Sequence, residues 1–250
     1  MKSEKKILSK EVISWAFYDW ANSAFATTVI AGFFPIFFKS FWANSLSDSE
    51  STALLGVANS LSGFFILIFA PFLGALADIT FRKKYMLVFF MLIGAGSTAS
   101  FFFINEGYWM IAVITYILAS IGFSGGNIFY DSLIIDVSND QSRNKVSAFG
   151  YAMGYLGGGI LFVVNVLMYL QPNTFGLTSQ IDAVLFSFLS VAIWWSVFTL
   201  PLIRFVKESK GEITSLSLIS TLKNTFSRVI NTFKEIRQYK NIFYFLLHDF

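Results

Sequence analysis

Asp19 is a carboxylate within an apolar stretch, where holding a charge costs about 3 kcal/mol or more. It belongs to Ser14-Trp15-Ala16-Phe17-Tyr18-Asp19-Trp20-Ala21-Asn22-Ser23-Ala24-Phe25. At helical spacing Trp15, Asp19, Asn22 and Ala26 share one face, with Tyr18 and Ser23 at its edges. Asp19 then lies roughly 10 Å deep at 1.5 Å per residue. A carboxylate, an amide and a phenol on one stripe can contact a polar solute, face an amine or carry a proton. They can equally form a hydrogen-bond cluster with a neighbouring helix. A second constellation is Ser124-Gly125-Gly126-Asn127-Ile128-Phe129-Tyr130-Asp131, with Asp136 five residues later. Asn127 and Asp131, four apart, stack on one helical face. Asp131 reads as a partner for loop cations as readily as a substrate contact. Tyr151, Tyr155 and Asn165 add polar points further on, and Tyr155 is the candidate cavity residue among them.

Much other chemistry is excluded by composition. The chain has no cysteine and one histidine, His248, so thiolate metal sites, disulfides and cysteine nucleophiles are out. No metal, cofactor or catalytic residue is expected. Of 250 residues 55% are hydrophobic and 13% charged, with mean hydropathy +0.63. A soluble domain carries about 25% charged residues, so the lipid bilayer must be part of this chain's solvent.

The elements that position these side chains are six stretches near the roughly 20 apolar residues a membrane helix needs. They run over Val12–Phe38, Ala53–Ala77, Tyr85–Ile104, Tyr108–Tyr130, Ser147–Leu170 and Ile181–Phe205. A seventh begins at 241–250. The polar breaks between them are short, the longest being Asp131–Lys145 and Gln171–Gln180. Of the 18 Lys and Arg, all but Lys39 fall on one side of this weave. That side is cytoplasmic by the positive-inside rule, and the N-terminus lies there. Bases confined to loops set topology, so no nucleic-acid partner is expected. Residues 206–240 place Ile219, Leu222, Phe226, Val229, Phe233 and Ile236 every three or four positions among bases, as a surface-lying amphipathic helix would. The fifth stretch carries Gly150, Gly154 and Gly158 at spacing four, a pattern that lets backbones approach closely in lipid.

Between the second and third stretches runs Gly74-Ala75-Leu76-Ala77-Asp78-Ile79-Thr80-Phe81-Arg82-Lys83-Lys84, an acid followed by three bases. Arg82 could pair there with Asp131 or Asp136. This loop resembles the signature of the major facilitator superfamily, departing from it at Ile79 and Phe81. A narrower resemblance is carried by Trp15-Ala-Phe-Tyr18-Asp19-Trp20-Ala-Asn22-Ser23-Ala-Phe25-Ala-Thr-Thr28 with Phe34-Pro35, and by Tyr130-Asp131 with Val146-Ser147-Ala-Phe-Gly150-Tyr-Ala-Met-Gly154-Tyr155. These are similar to the vacuolar-effluxer-like, autophagy-related amino-acid effluxer branch, which often has Asn where this chain has Asp131.

That resemblance implies an all-α integral membrane fold, the six-helix N-terminal bundle of a superfamily transporter with the C-terminal six-helix half missing. It implies a small-molecule substrate, with amino acids exported by fungal members, and alternating access. Tyr18, Asp19, Asn22, Asn127, Tyr130 and Tyr155 would line the substrate cavity, and a coupling proton could ride on Asp19. Gly74, Asp78, Arg82, Asp131 and Asp136 would gate it. The expected location is a bacterial-type inner membrane. A stand-alone six-helix subunit, or a half-transporter that dimerises in parallel, is a second reading. Gly122-Phe123-Ser124-Gly125 also matches the short motif of rhomboid-type intramembrane serine proteases. Such a serine needs a histidine base, and only His248 could supply one.

Overall fold

In hydrocarbon every backbone N–H and C=O must find its partner within the protein, and the apolar stretches satisfy this as helices. The computed structural model describes residues 8–80, 82–208 and 227, and of 75–80 only the backbone. Most of the 206–240 linker, the segment 241–250, His248 and the side chain of Asp78 lie outside the described residues. Among the described residues six helical segments are long and apolar enough to cross a membrane: Lys10–Trp42, Asp48–Gly74, Lys83–Phe103, Trp109–Val137, Arg143–Leu170 and Gln180–Phe205. Each matches a stretch expected from sequence, with ends displaced by a few residues.

Side-chain caps fix several starts. Helix α1 (Lys10–Ala24) opens on Ser9, whose hydroxyl accepts from the Val12 N–H. The first crossing then continues through π-helical turns at Phe25–Phe33, a short α2 (Phe34–Phe37) and further π turns at Phe38–Trp42. Pro35 has no N–H to give, and its ring crowds the preceding turn. The widened turns fall immediately before it. Helix α3 (Asp48–Thr80) begins on a reciprocal pair, in which the Ser47 N–H donates to the Glu50 carboxylate and the Glu50 N–H to the Ser47 hydroxyl. Then follow α4 (Lys83–Ser100), α5 (Trp109–Ser132), the short α6 (Ile134–Val137), α7 (Arg143–Leu170) and α8 (Gln180–Phe205), which opens on Ser179. The Asp131–Lys145 loop expected from sequence is therefore partly helical, because α5 continues past Asp131 and α6 follows at once.

Helix α1 packs along α7 and α8, α5 lies against α3 and α4, and α4 closes the bundle onto α8. Only 11% of the apolar window of α3 is buried, against 44% for α8, so α3 is the peripheral helix. At one end of the bundle Phe34 stacks on Tyr116 at 4.2 Å, and the Trp42 Nε1 donates to the Ile104 carbonyl at 3.1 Å. At the opposite, basic end the Lys84 Nζ donates to the Ile203 and Val206 carbonyls at the close of α8. The Lys84 N–H also donates to the Glu208 carboxylate. A cation at a helix C-terminus meets unpaired carbonyls and the negative end of the helix dipole.

Close approach of α4 and α5 depends on glycine. A Cβ at Gly122 would lie 2.3 Å from the Gly94 N and 2.5 Å from the Gly94 Cα, both backbone atoms that cannot swing away. A Cβ at Gly96 meets nothing within 4 Å. Gly122→Ala is accordingly expected to destabilise the bundle by about 1–3 kcal/mol, and Gly96→Ala to leave it unchanged. Thermal unfolding of the two variants in detergent checks this.

Candidate functional site

The site starts from the inner face of α1. Trp15, Tyr18 and Asn22 are buried there, with Asp19 and Ser23 half-buried beside them. Glycines on α7 let that face come close. A Cβ at Gly154 would lie 2.7 Å from the Ser23 Oγ and 2.9 Å from the Asp19 carboxylate carbon. A Cβ at Gly150 would meet the Trp15 ring and the Tyr130 hydroxyl, each at 2.7 Å, and one at Gly157 the Trp20 carbonyl at 2.3 Å. The Thr27 Oγ1 donates to the Gly158 carbonyl at 3.2 Å, so the contact is a polar seam as well as a smooth one. Within α1 the Ser23 Oγ donates to the Asp19 Oδ1 at 3.1 Å.

Helix α5 closes the other side. The Asn22 Nδ2 donates to the Asn127 Oδ1, and the Trp15 Nε1 to the Tyr130 carbonyl at 3.0 Å. The Trp15 and Tyr130 rings stack at 4.3 Å and 9°, and Tyr18 leans on Tyr130 at 5.3 Å. Between α1, the end of α5, α6 and the start of α7 lies a cavity of about 260 Å³. Its walls are Trp15, Asp19, Tyr130, Asp131, Ile134, Ser147 and Tyr151.

Of the residues expected at the substrate site, Asp19 and Tyr130 line this cavity, while Tyr18, Asn22 and Asn127 pack behind it. Tyr155 does not line it; that side chain is 80% exposed, and Tyr151, one helical turn earlier, forms the wall instead. The two tyrosines share a helix face, but only Tyr151 borders the cavity. Trp15, Ser147 and Tyr151 were absent from the expected set. Trp15 shares the Asp19 stripe, so a sequence signal for it existed; Ser147 stood only within the family-like motif of the fifth stretch.

The expected gating residues are placed differently from the pairing read in sequence. Among the described residues the cation on Asp136 is Lys83, whose Nζ donates to the Asp136 Oδ2 at 3.2 Å and to the Ser132 carbonyl at 3.1 Å. Arg82 is exposed, with its guanidinium 5.8 Å from the centre of the Tyr85 ring. Lys83 begins α4 and faces α5, whereas Arg82 precedes the helix and turns outward. Asp131 forms no ion pair among the described residues and opens instead onto the cavity. Gly74 has nothing within 4 Å of an added Cβ, and the Asp78 side chain lies outside the described residues.

A family model described as vacuole effluxer Atg22 like matches residues 43–136 and 135–249. The chain belongs to this family. Its relatives include an uncharacterized MFS-type transporter, YxiO, of Bacillus subtilis (strain 168), 37% identical across 98% of this chain and 57% of YxiO. Autophagy-related protein 22 of Eremothecium gossypii is 20% identical across 78% of the chain and 46% of its own length. This Atg22-like chain thus spans about half the length of the curated relatives it matches. The inward-open xylose transporter XylE from E. coli superposes with a TM-score of 0.55 at 19% identity, over 96% of this chain and 55% of XylE. The fold is therefore a six-helix half of a major facilitator superfamily transporter fold.

The corrected pairing of this Atg22-like bundle has a measurable consequence. Removing one partner of a buried ion pair strands the other charge, at about 3–5 kcal/mol, while surface changes stay within about 0.5 kcal/mol. Asp136→Asn leaves the buried Lys83 ammonium without its carboxylate and is expected to lower the unfolding midpoint clearly. Arg82→Ala is expected to leave it in place.

Proposed function

We propose that this chain is the substrate-contacting N-terminal half of a secondary transporter, which moves a small solute by alternating access. The reading is carried by one observation: Asp19 and Asp131 face an open cavity of about 260 Å³ within a bundle of membrane-length helices. A buried structural carboxylate is usually enclosed and paired. Two carboxylates held at the wall of an open space suit a solute path, where the cost of keeping charge in the membrane is offset by function. Tyr18, Asn22, Asn127 and Tyr130 hold the wall, and Tyr155 contacts the solute from its exposed position.

In this proposal a second six-helix half, of the size the relatives carry, faces the open side of the cavity. The two halves rock about it and expose it to one side of the membrane at a time. The Lys83–Asp136 pair, with Arg82, Asp78, Asp131 and Gly74, lies at the basic end and opens and closes that end. The basic end and the N-terminus are cytoplasmic, in a bacterial-type inner membrane. Amino acids are the solute class that the effluxer family suggests, and Asp19 carries the coupling proton.

The test uses the protein expressed from its complete gene, reconstituted into vesicles and offered radiolabelled amino acids under an imposed proton gradient. Gradient-driven accumulation of at least one is expected, with loss in Asp19→Asn and retention in Asp19→Glu. Accumulation and pH dependence unchanged in Asp19→Asn would overturn the coupling assignment. No movement of any solute, with the protein folded, would overturn the transporter reading.

A further inference from the structure

We propose that the α1–α8 seam at the basic end binds an anionic phospholipid, with its phosphate between Lys10 and Arg204. The inference needs only the membrane placement of the helices and stands apart from the transporter reading. Lys10 opens α1 and Arg204 lies in the last turn of α8, and both side chains are exposed. They converge on one ring: the Lys10 Nζ lies 3.6 Å, and the Arg204 Cζ 5.7 Å, from the centre of Phe205. Among the described residues neither has an ion-pair partner. Other bases of this end do find protein acceptors. Lys83 takes Asp136, Lys84 the Ile203 and Val206 carbonyls, and Arg143 takes Asp140.

Two cations held beside one ring repel each other, and a phosphate between them removes that cost. Arg grips a phosphate through paired N–H donors, and Lys adds a point charge. The neighbouring chain is poorly suited to supply the anion. Glu11 and Glu208 pair with neither base, the Glu208 carboxylate accepting from the Lys84 N–H, and the flanking sequences 1–7 and 209–240 are net basic. Below the charges the surface is apolar. Arg204 stands at the head of an exposed ridge, Leu200, Val197 and Ile193, which recurs every three or four residues on one face of α8. Beside it Phe17, two turns from Lys10, stacks on Phe198, two turns from Phe205, at 5.9 Å. A headgroup at Lys10 and Arg204 therefore lays its acyl chains along this ridge and these half-buried rings. Basic sites between membrane helices at the headgroup level take anionic lipids for this reason. A free phosphate would leave the ridge unused, and a neutral lipid would leave both charges uncompensated.

The complete protein in detergent is offered an equal mixture of dioleoyl phosphatidylglycerol and dioleoyl phosphatidylcholine, and retained lipid is counted by native mass spectrometry. Retention of phosphatidylglycerol about tenfold or more above phosphatidylcholine is expected from two bases acting together. Lys10→Gln combined with Arg204→Gln, both at exposed positions compatible with folding, is expected to abolish that preference. Lys10→Arg combined with Arg204→Lys is expected to keep it, as is Lys145→Gln, which removes another exposed base at the start of α7. Excess glycerol phosphate is expected to leave the lipid in place; displacement would mark a soluble-phosphate site and overturn the inference. Equal retention of the two lipids, an intact preference in the Gln double variant, or an equal loss in Lys145→Gln would each overturn it too. So would retention of no lipid, the outcome if another segment of the protein covers the seam.

Discussion

The close approach of α1 to α7 is the constraint on which the rest depends. Four glycines, Gly150, Gly154, Gly157 and Gly158, occupy the α7 side of that seam, and each is where an added methyl group would collide with α1 or with Tyr130. In lipid there is no hydrophobic force between helices, so van der Waals fit and interhelical hydrogen bonds must hold them. The glycines supply the fit, and the Thr27–Gly158 bond supplies part of the polar contact. Because the backbones are so close, Trp15 can lie against Tyr130 while Asp19 stands at the edge of the contact, facing the cavity instead of lipid. A wider seam would separate the carboxylate from its wall.

The basic end shows a second use of short-range chemistry. Two consecutive lysines at the start of α4 serve two different helices: Lys83 reaches the Ser132 carbonyl and Asp136 at the α5–α6 junction, and Lys84 the last carbonyls of α8. One helix start therefore ties down two helix ends. The cavity opens beside the first of these ties, since Asp131 and Ile134 border it and Asp136 follows directly.

Much of this was legible in the sequence, for identifiable reasons. Membrane-length helices announce themselves by apolar length. The Asp19 and Asn22 stripe stood out because an apolar helix gives polar residues no cover, and the Gly150, Gly154, Gly158 ladder told which face of α7 is smooth. What was not legible depends on rotation and register between helices. Tyr151 and Tyr155 share a face, and only packing decides which borders the cavity. Arg82 and Lys83 are adjacent bases, and only the start of α4 decides which turns inward. The π-helical turns before Pro35 were missed because a lost hydrogen bond can be absorbed by a kink or by a widened turn. The fold follows from pattern, but the wall of the cavity follows from sub-ångström fit.

The central claim is that the glycine seam sets the Asp19 carboxylate at the cavity wall. Gly154→Ala and Gly159→Ala compared in the complete protein test it most directly, since a Cβ at Gly159 meets nothing within 4 Å. The measurement is solute binding to each variant, alongside a thermal unfolding curve. The account predicts that Gly154→Ala loses binding tenfold or more while Gly159→Ala binds as the unsubstituted protein does. Unaltered binding in Gly154→Ala, or equal losses in both variants, would contradict it.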